Sequence, residues 1–101
     1  MTSLPDSPRT AMAQAVAVSD DTLTVDLVDG RSVSVPIGWY PRLSHGSTDE
    51  RANWRLVGRG EGIRWPDLDE DISVESLLAG RASGESQSSL EQWLRSRRQA
   101  G

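Results

Sequence analysis

Cysteine, phenylalanine and lysine are absent from this chain of 101 residues, and histidine and tyrosine occur once each. Without cysteine there is no disulfide, no thiolate zinc site and no cysteine nucleophile, and a small domain without such staples fits a reducing cytoplasm. Without phenylalanine the aromatic area must come from four Trp and one Tyr. All eleven basic residues are Arg, a bias attributed to a GC-rich genome and not to arginine-based recognition. Long apolar runs are also missing. The alanine-rich stretch AMAQAVAV is broken by Gln14 and is too short for a signal core or a membrane span, so neither export nor membrane insertion is expected. An excess of positive charge is lacking as well: the net charge of -4 argues against a nonspecific grip on nucleic acid, which needs cations to displace counterions, and favours a small basic protein partner.

What is present suffices for one domain and not for two. Residues 1–12 hold Pro5 and Pro8 among Ser and Thr with no hydrophobic period, and read as a disordered tail. After a short apolar run from Ala15, Leu23, Val25 and Leu27 alternate with Thr22, Thr24 and Asp26, the period-2 pattern of a half-buried strand. Asp29-Gly30 predicts a type I′ hairpin turn, after which Val33, Val35 and Ile37 resume the inward set. Pro36, Gly38 and Pro41 then fix Trp39 and Tyr40 at a corner.

Ser47 and Glu50 have capping-box spacing, which predicts a helix over 48–53. Trp54, Leu56 and Val57 predict a strand, 58–62 a glycine-rich turn, and Ile63 to Trp65 a strand halted by Pro66. Ser73 predicts the cap of a helix carrying Val74, Leu77 and Leu78 and ended by Gly80. The core domain is thus expected over 13–80, followed by a linker over 81–88 and an amphipathic helix over 89–98. That helix would be capped by Ser88 with Glu91 and striped by Leu90, Trp93 and Leu94. The expected fold is a small α+β domain: an antiparallel sheet of four or five strands built from two hairpins, with two short helices and the C-terminal amphipathic helix.

The segments VDLVDGRSVSVPIGWYPRL and DERANWRLVGRGEGIRWPDLDEDISVESLLAG resemble the bacterial family known as domain of unknown function 2442, over about residues 15–80. Arg64 stands where the family pattern has His before the Trp. The resemblance implies a small α+β domain, sometimes joined to a helix-turn-helix module, and often encoded beside a second small protein in a manner that suggests a toxin–antitoxin pair. No activity is implied. A helix-turn-helix is not expected here, since 21 residues follow Gly80.

Asp67, Asp69 and Asp71 imitate the start of a calcium loop, but its sixth position is Ile72 and its twelfth Leu78, where Gly and Glu are needed. Two acids alone do not make a glycosidase. His45, between Ser44 and Ser47, lacks a predicted orienting group, and Gly58-x-Gly60-x-Gly62 lacks the helix, lysine and hydroxyl of a phosphate loop. Trp39, Tyr40, Trp54 and Trp65 are core or half-buried in the first instance. Yet Trp39, Tyr40, Arg42 and Trp65 are also interface-anchoring types, and with Asp67, Asp69, Glu70 and Asp71 they compose the candidate partner-binding patch. The expected function is a non-enzymatic protein-interaction module, the antitoxin-like or regulatory member of a two-protein system, without cofactor or metal and with a strand edge that permits homo-oligomers. The alternatives are a metal-dependent enzyme using the acidic run 67–71 and a regulator that reaches nucleic acid only through a partner.

Overall fold

In the computed structural model, which describes residues 11–100, two antiparallel three-stranded meanders follow one another along the chain. The first is β1 (Ala13–Val18), β2 (Thr22–Leu27) and β3 (Ser32–Pro36); the second is β4 (Arg55–Val57), β5 (Gly62–Trp65) and β6 (Glu70–Ser73). Between them lie a 3₁₀ turn (Ile37–Trp39) and the short helices α1 (Pro41–Ser44) and α2 (Thr48–Ala52). After them come α3 (Val74–Leu78) and α4 (Gln87–Ala100). The α+β class is as expected. Among the described residues, however, the strands number six and divide into two sheets. The disordered tail expected over 1–12 lies outside the described residues except for Ala11 and Met12. No helix among the described residues is long and apolar enough to cross a membrane.

The two strands that the sequence concealed have identifiable reasons. β1 contains a bulge between Ala13 and Ala15, so its inward alternation changes phase, and its alanines carry little pattern. β6 is four residues long and half acidic, but Glu70 and Ile72 fall on one face by the period-2 rule, and Ile72 is buried, as is Val74 at the start of α3.

Elsewhere local chemistry acts as its residue types require. Ser47 Oγ accepts from Glu50 N at 3.1 Å while Glu50 Oε1 accepts from Ser47 N at 2.9 Å, a complete capping box on α2. Ser73 caps α3 by accepting from Ser76 N, and α3 ends with Gly80 N donating to Leu77 O and Arg81 N to Ser76 O, the paired bonds of a Schellman motif. The first hairpin departs from the type I′ expectation. Asp29 does not have positive φ; only Gly30 does, at 97°, and Leu27 N donates to Arg31 O. The connection is therefore a three-residue loop closed by a glycine bulge, which leaves Val28 exposed.

The inward residues of both sheets join one core: Leu23, Val25, Leu27, Val35 and Ile37 from the first, and Ile63, Trp65 and Ile72 from the second. Leu43, Leu68, Val74 and Leu77 complete it. Trp65 has no exposure, and its indole N–H donates to Arg51 O at 3.0 Å, so the largest core side chain keeps its polar atom satisfied.

The sheets are tied where Ala13 N donates to Gly60 O at 2.7 Å. Gly60 has φ of 103°, and a Cβ there would lie 2.4 Å from Ala13 O. Gly60→Ala is therefore expected to cost roughly 2–4 kcal/mol, from strain plus a forced separation of the sheets. Gly30→Ala meets open space at φ 97° and carries the strain alone, about 1 kcal/mol. Chemical denaturation of the two variants checks the ranking.

Candidate protein-interaction surface

The candidate residues are brought together by the β5–β6 hairpin and by α1, which packs beside its tip. Pro41 starts α1 in the first helical position, where its missing N–H is not needed, and this sets Arg42 one residue into the helix. From there the guanidinium reaches two segments distant in sequence. Its Nε donates to Glu85 Oε1 at 2.9 Å, its Nη2 to Glu85 Oε2 at 2.6 Å, and its Nη1 to Asp69 O at 3.1 Å. The pair is largely withdrawn from water, with Arg42 15% and Glu85 10% exposed. The Arg42 guanidinium accordingly holds the Glu85 carboxyl below its usual range.

The segment 81–86, read from sequence as a linker, is thus attached to the domain at three points. Besides Glu85, Ser83 N donates to Trp39 O at 2.9 Å and Tyr40 Oη to Arg81 O at 3.2 Å. The helix beyond it begins at Gln87, two residues before the expected start. Ser86 and not Ser88 provides the cap, accepting from Ser89 N at 3.2 Å.

The hairpin tip is rigid for two reasons. Leu68 is fully buried and anchors the turn from within, and Asp69 takes φ of 50°, a left-handed value that Asp tolerates better than most residues. Arg64, in cross-strand register with Asp71, donates to Asp71 Oδ2 at 2.7 Å and to Asp69 Oδ1 at 3.0 Å. Asn53 Nδ2 donates to Asp67 Oδ2 at 2.9 Å. Asp67, Asp69 and Asp71 are nevertheless open to solvent, Asp69 at 71%. Because Arg64 stands between Asp69 and Asp71, a guanidinium occupies the position a cation would need. Among the described residues, no group of three or more His, Cys, Asp or Glu is placed to hold a metal ion.

Glu70 differs from its acidic neighbours because the alternation of β6 turns it toward the interior. Burial raises its carboxyl to about 7, against the opposing pull of Arg42, with Glu85, Asp71 and Asp69 adding to the rise.

The eight residues singled out from sequence therefore divide in two. Trp65 and Tyr40 are interior and unavailable as surface anchors, and Arg42 is committed to internal partners. Trp39 is half-buried against the core. Asp67, Asp69 and Asp71 form the exposed part, with Glu70 at its inner margin. Sequence reasoning missed Glu50, Glu85, Trp93 and Arg97, which form a continuous contact with Arg42. The Arg97 guanidinium lies 4.7 Å and that of Arg42 5.0 Å from the Trp93 ring centroid, and Arg97 Nη2 donates to Glu50 Oε1 at 2.8 Å. The i, i+3, i+7 spacing of Leu90, Trp93 and Arg97 was the available signal.

A family model described as "Protein of unknown function (DUF2442)" matches residues 13–83, a little more than the span of the resemblance noted from sequence. No curated protein matches the chain. The fold is similar to the crystal structure of a protein of unknown function from Rhodospirillum rubrum ATCC 11170, with a TM-score of 0.63 and 26% identity, covering 77% of this chain and 94% of that one.

Glu70 gives this surface a pH dependence whose sign follows from its raised value. Between the ordinary carboxyl range and about 7 the folded chain holds a proton that the unfolded chain releases, so its contribution falls as pH rises through that window. Glu70→Gln should flatten the loss of stability between pH 5 and 7.5, by on the order of 1 kcal/mol after allowing for solvent screening. Glu50 and Glu85 are depressed, and their contribution is lost only at lower pH, as it falls through their folded values. Urea denaturation at several pH values separates the two effects.

Proposed function

We propose that this chain, which belongs to the DUF2442 family of proteins of unknown function, is a non-enzymatic interaction module that presents its acidic hairpin tip to a small basic protein. The observation that carries this reading is the combination of exposure and bracing at the tip. Three aspartates face solvent on a turn held by Leu68, Arg64, Asn53 and Arg42, so they can meet a partner without first being ordered. Rigid surface charge of one sign accelerates encounter and selects against partners of like charge.

The arrangement supports contact over turnover. Asp69 and Asp71 are cross-linked by Arg64, and Glu70, whose carboxyl burial raises to about 7, faces inward beside Arg42. The family resemblance, and not the geometry, adds the proposed role as the regulatory or antitoxin-like member of a two-protein bacterial system, and the absence of cysteine adds the cytoplasm as its place. A second copy is a lesser candidate partner. β4 is an edge strand with Leu56 and Val57 exposed, but at three residues it offers a short template.

The test is co-purification of the tagged full chain from its own host. Wild type should retain one basic protein in stoichiometric amount at low salt and release it near 0.5 M salt. Asp67→Arg with Asp71→Arg should lose it, and the milder Asp67→Asn with Asp71→Asn should weaken retention about tenfold while leaving the thermal transition in place. Equal retention by all three chains would remove the acidic tip from the account.

A further inference from the structure

Beyond residue 83, where the family match ends, the chain adds a helix whose attachment differs in kind from the rest of the fold. Among the described residues α4 (Gln87–Ala100) makes no backbone hydrogen bond to the body, and Leu90, at 9% exposure, is its most buried apolar side chain. It is held instead by a ladder of alternating groups: Glu50, Arg97, Trp93, Arg42 and Glu85. Ser89 Oγ adds a bond to Glu85 Oε2 at 2.8 Å at the root of the helix.

Each body residue in this ladder is already fixed without α4. Glu50 closes the capping box of α2 through Ser47 N; Arg42 is held by Glu85, before the helix, and by Asp69 O. Arg51, which bonds Leu43 O and Ser44 O at 2.8 Å each, sets α2 against α1. The surface that receives α4 is thus preformed. Within it Glu50 pairs with Arg97 of the helix, which carries Arg95, Arg97 and Arg98 against a single Glu91 within 86–98. Fourteen residues of mixed polarity make a marginal helix alone, so its docking depends on these side chains.

We propose that the α1–α2 face is a receiving site for a basic, tryptophan-bearing amphipathic helix, and that α4 occupies it in cis as an internal competitor of a partner helix of the same chemistry. The root stays anchored at Ser83 and Glu85, and the length from Trp93 onward is the part that exchanges. An arginine seven residues beyond a leucine anchor, with Trp between them, is the pattern the site selects. The proposal extends the interaction-module reading to a second surface, and the two fail separately, because Asp67 and Asp71 take no part in the ladder.

The experiment uses the full chain, as wild type and as Trp93→Ala with Arg97→Glu, and a synthetic peptide of residues 86–98 as the probe, followed by amide chemical shifts. Peptide should perturb Ser47 to Ala52 saturably in the variant, and wild type should need at least tenfold more, since a tethered helix competes at an effective concentration in the millimolar range. A peptide carrying Arg97→Glu should bind the variant at least tenfold more weakly. Equal titrations of the two chains, or no shift at Ser47 to Ala52 in either, would overturn the proposal. So would a wild-type dimer in sedimentation with α4 exchanged between copies, which would make the second copy the occupant.

Discussion

The pairing of Arg42 with Glu85 is the contact on which the arrangement of this surface depends. Two charges that have largely left water need one another, because removing either leaves the other with neutral partners only, Asp69 O for Arg42 and Ser89 Oγ for Glu85, at roughly 3 kcal/mol. Arginine suits the position better than lysine would, since its planar fork grips both carboxylate oxygens and still offers an N–H to the carbonyl of Asp69. Through that one side chain, α1, the hairpin tip and the start of the C-terminal segment share a frame. Its face then serves as the floor for Trp93.

Around that frame the chain spends its acidic residues in distinct ways. Asp67, Asp69 and Asp71 point outward, bridged by arginine and asparagine that fix their geometry. Glu70, one residue from two of them, is turned inward by strand alternation, and burial carries its carboxyl to about 7. Glu50 and Glu85 are drawn the other way by Arg97 and Arg42. Residues 67–71 thus yield an exposed acidic patch and one carboxyl at its margin that is sensitive to pH, turned inward by the period-2 geometry of β6.

Much of the fold was legible in the sequence because local chemistry determined it. Ser47 with Glu50 and Ser73 with Gly80 act as their spacing requires, and Leu23, Val25, Leu27 and Val35 face the core as alternation predicts. Where the reading fell short, tertiary partners decided. Alanines around a bulge hid β1, and the acidic content of β6 hid the alternation of Glu70 and Ile72. The Ser- and Gly-rich stretch after Gly80 looked like a linker because nothing in its composition reveals that Glu85 meets Arg42, 43 residues earlier. At the candidate site the aspartates were correctly seen as surface. Tyr40 and Trp65 turned inward because each finds a backbone carbonyl for its polar atom inside the fold.

A double-mutant cycle on the Arg42–Glu85 pair tests the central claim most directly. Arg42→Met, Glu85→Met and the double variant would be compared with wild type by urea denaturation, each also followed by hydrogen exchange at the Leu68 to Glu70 amides. A coupling of about 1–3 kcal/mol is predicted, with the double variant regaining part of the stability lost by either single one and both singles loosening the hairpin tip. Additivity within about 0.3 kcal/mol, with exchange at the tip unchanged, would contradict the account and reduce the pair to an incidental surface contact.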